Sequence, residues 1–151
     1  MNGPSLLESL FPNLANHFYR ITSKSEEHYN CIAHAAGRND LWWQPTSQPT
    51  KTTYWPDGIP KEWTLEALIA LYESLEYASC DGAELEPGFE KIALFVDSSR
   101  TPTHAARQLP TGAWTSKLGE LEDIEHETLS ALEGEAYGVA VRFMKRPRRL
   151  E

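Results

Sequence analysis

The stretch YNCIAHAAG, residues 29–37, decides how this chain is interpreted. Its polar lead-in, alanine-rich body and closing glycine predict a short buried helix that ends in a glycine cap. Cys31 then lies in the first turn, where free backbone N–H groups and aligned peptide dipoles stabilise a thiolate. The pattern marks Cys31 as a candidate nucleophile and the neighbouring Asn30 as a candidate group for holding an oxyanion.

The flanking sequence predicts further helices and one long loop. Residues 5–19 carry apolar side chains at near-helical spacing, and Thr64 is placed to cap a helix that runs to about residue 79. Residues 38–60 hold four prolines yet keep several aromatic side chains. Trp42, Trp43 and Trp55 therefore either anchor this loop to the core or form walls of a substrate cleft.

In the second half of the chain, the spacing of apolar residues changes from the helical period to the alternation that is typical of strands. Residues 91–96, 104–109, 113–118 and 137–144 are predicted as strands separated by turn-rich segments, and residues 123–132 as a short helix. Helices followed by strands predict a single α+β domain over residues 1–151, with N-terminal helices packed on an antiparallel sheet of about four strands. His104, at the start of a predicted strand, is the candidate base for Cys31.

Six strings form a distinctive set: Asn30–Ala33, Leu41–Trp43, Thr103–Gln108, Trp114–Gly119, Asp123–His126 and Leu132–Gly134. Together they resemble a bacterial domain family of unknown function over about residues 28–144. More broadly, a cysteine at a helix start followed by a histidine on an antiparallel strand resembles the papain-like superfamily, especially the NlpC/P60-type hydrolases. The resemblance implies a papain-like fold.

The resemblance also implies a third catalytic position about a dozen residues after His104, which is Ser116 in this chain. Serine orients an imidazole less well than Asp, Asn or His, so Asp123 and His126 remain alternatives for the orienting role. Asp123 has a competing interpretation as the cap of its predicted helix.

The function implied is a cysteine hydrolase of the amidase or peptidase type. Cys31 would attack an amide carbonyl while His104 takes and returns the proton, on a peptide, protein or peptidoglycan-like substrate. The alternative is a non-catalytic module that binds a protein or peptide and keeps a degenerate papain-like fold.

The composition argues against two classes of binding partner. A net charge of −8 disfavours nucleic acid and anionic membranes, which attract clustered Lys and Arg. The one basic run begins at Lys145, and residues 145–151 are expected to form a solvated tail with a vector remnant at its end. No apolar run approaches the roughly 18 residues that span a bilayer, and no secretory signal is evident, so a cytoplasmic protein is expected, with export by a dedicated secretion system left open.

No cofactor is expected. The spacing of His28, Cys31 and His34 is compatible with zinc, with Cys80, His104 or His126 completing the set. Structural zinc sites usually pair two such motifs and this chain has one, so a metal site is disfavoured. Both cysteines are expected to be free thiols, because the cytosol is reducing.

Overall fold

The computed structural model describes residues 4–46 and 50–148. There are three α-helices in these residues, α1 (Pro4–Leu10), α2 (Cys31–Ala35) and α3 (Leu65–Ser74), and two 3-10 helices, Pro12–Asn16 and Leu129–Leu132. The strands are β1 (Tyr19–Ile21), β2 (Trp42–Trp43), β3 (Thr53–Tyr54), β4 (Ala78–Cys80), β5 (Phe89–Val96), β6 (Pro102–Gln108), β7 (Trp114–Lys117), β8 (Asp123–His126) and β9 (Val139–Pro147).

Seven of these strands form one sheet in the order β1-β8-β7-β6-β5-β9-β4, with antiparallel neighbours throughout. Strands β2 and β3 form a separate parallel pair inside the long loop. Strand β5 lies inside the sheet between β6 and β9, which explains why its middle residues are fully buried.

The sheet has an apolar core on each face. Ile92 and Leu94 of β5 pack with α2 and α3 on one face, while Ala93 and Phe95 pack with α1 and the 3-10 helices on the other. This alternation is the period of two that a strand imposes on its side chains. Because both faces are covered, residues 92–96 of β5 form a continuous apolar run in the sequence.

The expected papain-like arrangement, α+β with N-terminal helices on an antiparallel sheet of about four strands, is therefore wrong. The sheet has seven strands, strands outnumber helices, and helical segments cover both faces. The two edge strands, β1 and β4, went unpredicted because each has only three residues, mostly exposed, and so gives almost no alternating pattern.

Two predicted helices also differ in the structure. Residues 123–132 form strand β8 followed by a 3-10 helix, because tertiary pairing with β7 and β1 overrides the local helical pattern. Helix α3 ends at Ser74 instead of continuing to about residue 79. Glu76 has a φ of 76°, a left-handed conformation that ends the helix and turns the chain into β4.

The basic run at residues 145–149 was expected to be a solvated tail, and this is wrong for its first residues. Lys145 and Arg146 belong to β9, which pairs with β5. Lys145 forms an ion pair with Glu86 at 2.7 Å, and the buried Arg146 lies 3.5 Å from Glu90 and over the ring of Tyr77. Acidic and aromatic neighbours thus hold these cations in the sheet.

Gly138, just before β9, brings that part of the chain into close contact with β5. Its φ is +73°, and a Cβ at this position would lie 1.9 Å from the carbonyl oxygen of Val96. Only glycine allows this approach without a shift of backbone. The contact places the preceding residue, Tyr137, beside the site described next.

Candidate functional site

Asn30 fixes the start of α2. Its side-chain oxygen accepts hydrogen bonds from the backbone N–H groups of Ala33 (3.2 Å) and Trp43 (3.1 Å), and its amide donates to the Trp43 carbonyl (2.7 Å). The first contact is a helix N-cap, and the other two join the helix to β2. One amide N–H of Asn30, the proposed oxyanion donor, is thus already used by Trp43.

Cys31 follows this cap as the first residue of α2. Its side chain is 8% exposed and lines a pocket. Burial raises the pKa of the thiol from 9.0 to about 11, and nearby backbone N–H groups, chiefly that of Ala105, offset this only in part. The helix start therefore does not produce the thiolate that the sequence suggested, and the thiol is neutral at pH 7.

His104 lies on β6, one residue before Ala105, and its side chain is fully buried. The imidazole stacks on the ring of Tyr137, with centroids 4.3 Å apart, and meets the edge of Phe95. Its Nε2 is 2.9 Å from Ser116 Oγ. Burial lowers the pKa of His104 well below 6.5, and among the described residues its Nδ1 has no hydrogen-bond partner.

A chain of three hydrogen bonds determines which nitrogen of His104 carries the proton. His126 Nδ1 is 2.8 Å from the carbonyl oxygen of Thr128, which can only accept, so Nδ1 carries the hydrogen of His126. Burial lowers the pKa of His126 to about 4, so its Nε2 is an acceptor at pH 7 and takes the hydrogen of Ser116 at 2.8 Å.

Ser116 Oγ must then accept its remaining bond, from Nε2–H of His104. The neutral His104 is left with a lone pair on Nδ1, which is the form that a general base requires. We call His104, Ser116 and His126 the histidine relay. The structure thus brings two of the three candidate orienting residues to His104, in series rather than as alternatives.

Asp123, the third candidate, is part of a different cluster. Its carboxylate accepts a hydrogen bond from the hydroxyl of Tyr29 at 2.7 Å and lies 3.8 Å from Nδ1 of His34. His34 in turn contacts Thr115 Oγ1 at 2.9 Å. Because Asp123 and Thr115 alternate with the relay residues along β8 and β7, this cluster faces α2, on the side of the sheet opposite to the relay.

The pocket beside Cys31 has a volume of about 490 Å³. Its apolar walls come from Trp42, Trp63, Tyr137 and Pro45. Trp63 is held by a hydrogen bond from its Nε1 to the Pro102 carbonyl (2.8 Å). The size is in the range of about 300–1,000 Å³ that is usual for small-molecule sites.

Of the three tryptophans proposed as cleft walls, the structure places only Trp42 at the pocket. Trp43 and Trp55 are 4% and 2% exposed and belong to the core under α2 and α3. Trp63 and Tyr137 were missed, since each is a single aromatic far from Cys31 in sequence. The glycine after Tyr137 was the one local signal of an unusual backbone.

In the part of the chain that the structure describes, no group of His, Cys, Asp and Glu could hold a metal ion. His28 and His34, which the sequence spacing linked to Cys31, have other partners: the exposed His28 pairs with Glu26, and the buried His34 with Asn39 and Thr115. Within residues 4–46 and 50–148, no helix has the length and apolar character needed to cross a bilayer.

Comparison with known families gives one result. A family described as a domain of unknown function, DUF7689, matches residues 20–145. The chain belongs to this family. No curated protein and no solved structure is detectably similar to it. The region matched by DUF7689 contains Cys31, the histidine relay and the pocket residues named above.

Proposed function

We propose that this DUF7689 domain is a cysteine hydrolase of the amidase or peptidase type, with Cys31 as nucleophile. The observation that carries the proposal is the position of Cys31, the first residue of α2, in the lining of a pocket of about 490 Å³. A pocket of this size holds a small-molecule ligand, so the carbonyl of a bound amide would meet the thiol there.

The predicted base, His104, has no part in this proposal, because its side chain lies on the face of the sheet opposite to α2 and does not line the pocket. In the proposed reaction, Sγ of Cys31 forms a bond to the amide carbonyl carbon and the thiol proton passes to the amide nitrogen. The C–N bond then breaks, and the amine leaves with that proton. Water attacks the thioester and returns a proton to Sγ, which releases the acid with the thiol restored.

The resting thiol in this proposal is protonated, because burial raises the pKa of Cys31. Loss of the thiol proton therefore accompanies attack on the carbonyl. A pKa of about 11 instead of 9.0 leaves about 100-fold less thiolate at pH 7, so slow labelling of Cys31 by iodoacetamide is expected.

The test is acylation by p-nitrophenyl butyrate, followed by nitrophenolate release and by peptide mass spectrometry. We expect a butyryl adduct on Cys31 and none in Cys31→Ala. The matched control is Cys80→Ala, which removes the other free thiol. Equal acylation of the wild type and Cys31→Ala, or no adduct at all, would refute the proposal.

A non-catalytic peptide-binding module is the second candidate, favoured by the neutral thiol and the aromatic pocket walls. It predicts that a bound peptide is recovered intact and that Cys31→Ala binds it as well as the wild type. Cleavage of such a peptide by the wild type alone would exclude this candidate.

A further inference from the structure

The pocket beside Cys31 is built from uncharged residues in a strongly acidic protein. Charged residues make up 24% of the sequence, yet none of the lining residues that the structure describes carries a charge. An ionised group that enters a pocket of this kind loses its hydration and gains no counter-ion, which is strongly unfavourable. The lining therefore discriminates against both anionic and cationic ligands.

The polar groups of the lining are largely occupied. Asn30 is bonded to Ala33 and Trp43, Thr103 Oγ1 donates to the backbone carbonyl of Tyr137, and Trp63 Nε1 donates to that of Pro102. Gln44, in contrast, is exposed and lies at the pocket mouth. The interior thus offers a ligand aromatic surface and few free hydrogen-bonding groups.

We infer that the pocket binds the uncharged, apolar acyl group of the substrate, a medium-length aliphatic chain or an aromatic side chain. The inference rests on the proposed function for one point, that the reacting carbonyl lies at Cys31. Burial of the acyl group against Trp42, Trp63 and Tyr137 supplies the affinity. Specificity comes from the penalty on any charged group in the same position.

Binding is tested on Cys31→Ala, which cannot react, so affinity is measured apart from catalysis. Three probes share an eight-carbon amide chain and differ at the far end: octanamide is neutral, suberamic acid carries a carboxylate and 8-aminooctanamide an ammonium group. Titrations followed by tryptophan fluorescence should show that octanamide binds at least tenfold more tightly than either charged probe. Equal affinities for the three probes would overturn the inference.

Two variants locate the binding at this pocket. Trp63→Ala should weaken octanamide binding about tenfold, a typical loss for one aromatic contact, whereas Leu85→Ala, at an exposed leucine outside the pocket lining, should not. Gln44→Lys adds a cation at the mouth and should improve suberamic acid binding about fivefold or more. If Gln44→Lys binds suberamic acid no more tightly than the wild type, and Trp63→Ala binds octanamide as tightly as the wild type, the probes bind elsewhere and the inference is refuted.

These measurements separate the two proposals. Preferential binding of octanamide with no acylation by any ester would refute the hydrolase and leave the acyl pocket standing. Acylation of Cys31 at equal rates by neutral and charged esters would refute the pocket inference alone.

Discussion

Removing the hydroxyl of Ser116 tests the histidine relay directly. In Ser116→Ala, Nε2–H of His104 loses its acceptor and Nε2 of His126 loses its donor, at 2.9 and 2.8 Å. All three side chains are fully buried, so bulk water cannot replace the missing bonds. The substitution itself deletes one oxygen and leaves almost no cavity.

The expected loss of stability follows from this count. Each buried polar group left without a partner costs about 1–3 kcal/mol, so two of them give about 2–6 kcal/mol. That is a large share of the 5–15 kcal/mol that is typical of a folded domain. Without its acceptor at Nε2, His104 should also lose its tautomer preference, and a mixture of Nε2–H and Nδ1–H forms is expected.

Urea denaturation at pH 7.5 measures the free energy of unfolding, and long-range ¹H–¹⁵N correlation spectra report the tautomer of each histidine. The control is Ser79→Ala, which removes an exposed serine bonded to Arg142 and should change stability by less than about 0.5 kcal/mol. If Ser116→Ala is as mild as the control and His104 stays in the Nε2–H form, the relay does not determine the tautomer.

Three further outcomes are expected. Acid should destabilise the fold, because the pKa of His126 is lowered from 6.5 to about 4 in the folded protein. The stability that the neutral His126 contributes is complete above pH 6.5 and falls by about 3 kcal/mol as the pH drops to 4. Denaturation of His126→Gln across this range should show a smaller loss of stability. Asn30→Ala should lower the free energy of unfolding by about 2–4 kcal/mol, because it removes a helix cap and leaves the buried backbone of Trp43 without its partner. Thermal unfolding measures this loss, with Asn30→Asp, which keeps the acceptor oxygen, as the control. Gly138→Ala should cost at least about 2 kcal/mol because its Cβ collides with the Val96 carbonyl; a melting temperature equal to that of Gly37→Ala, where a Cβ meets open space at a similar φ, would contradict this.

The sequence predicted the elements whose local pattern agrees with their tertiary role. Helix α2 follows Asn30, helix α3 follows its cap at Thr64, and strands β5 to β7 and β9 lie close to their predicted positions. The arrangement of these elements could not be predicted. Strand β5 is apolar on both faces because helices cover both sides of the sheet, and no local pattern specifies which helix covers which face.

The candidate site, like the fold, was predicted only in part from the sequence. Ser116 was implied as the partner of His104 by the family resemblance, but its hydrogen bond to His126 depends on the pairing of β7 with β8, where a helix had been predicted. The protonated state of Cys31 could not be predicted either. A position at a helix start lowers the pKa of a thiol, but burial, which the sequence does not reveal, raises the pKa by more.

The pairing of β1 with β8 has a consequence for how the chain reaches its folded state. Arg20 and Glu125 lie side by side in the sheet although 105 residues separate them. During synthesis β1 leaves the ribosome long before its partner strand exists, so this edge of the sheet cannot form until translation of the domain is almost complete. Long-range closures of this kind slow folding, so β1 stays unpaired until β8 emerges.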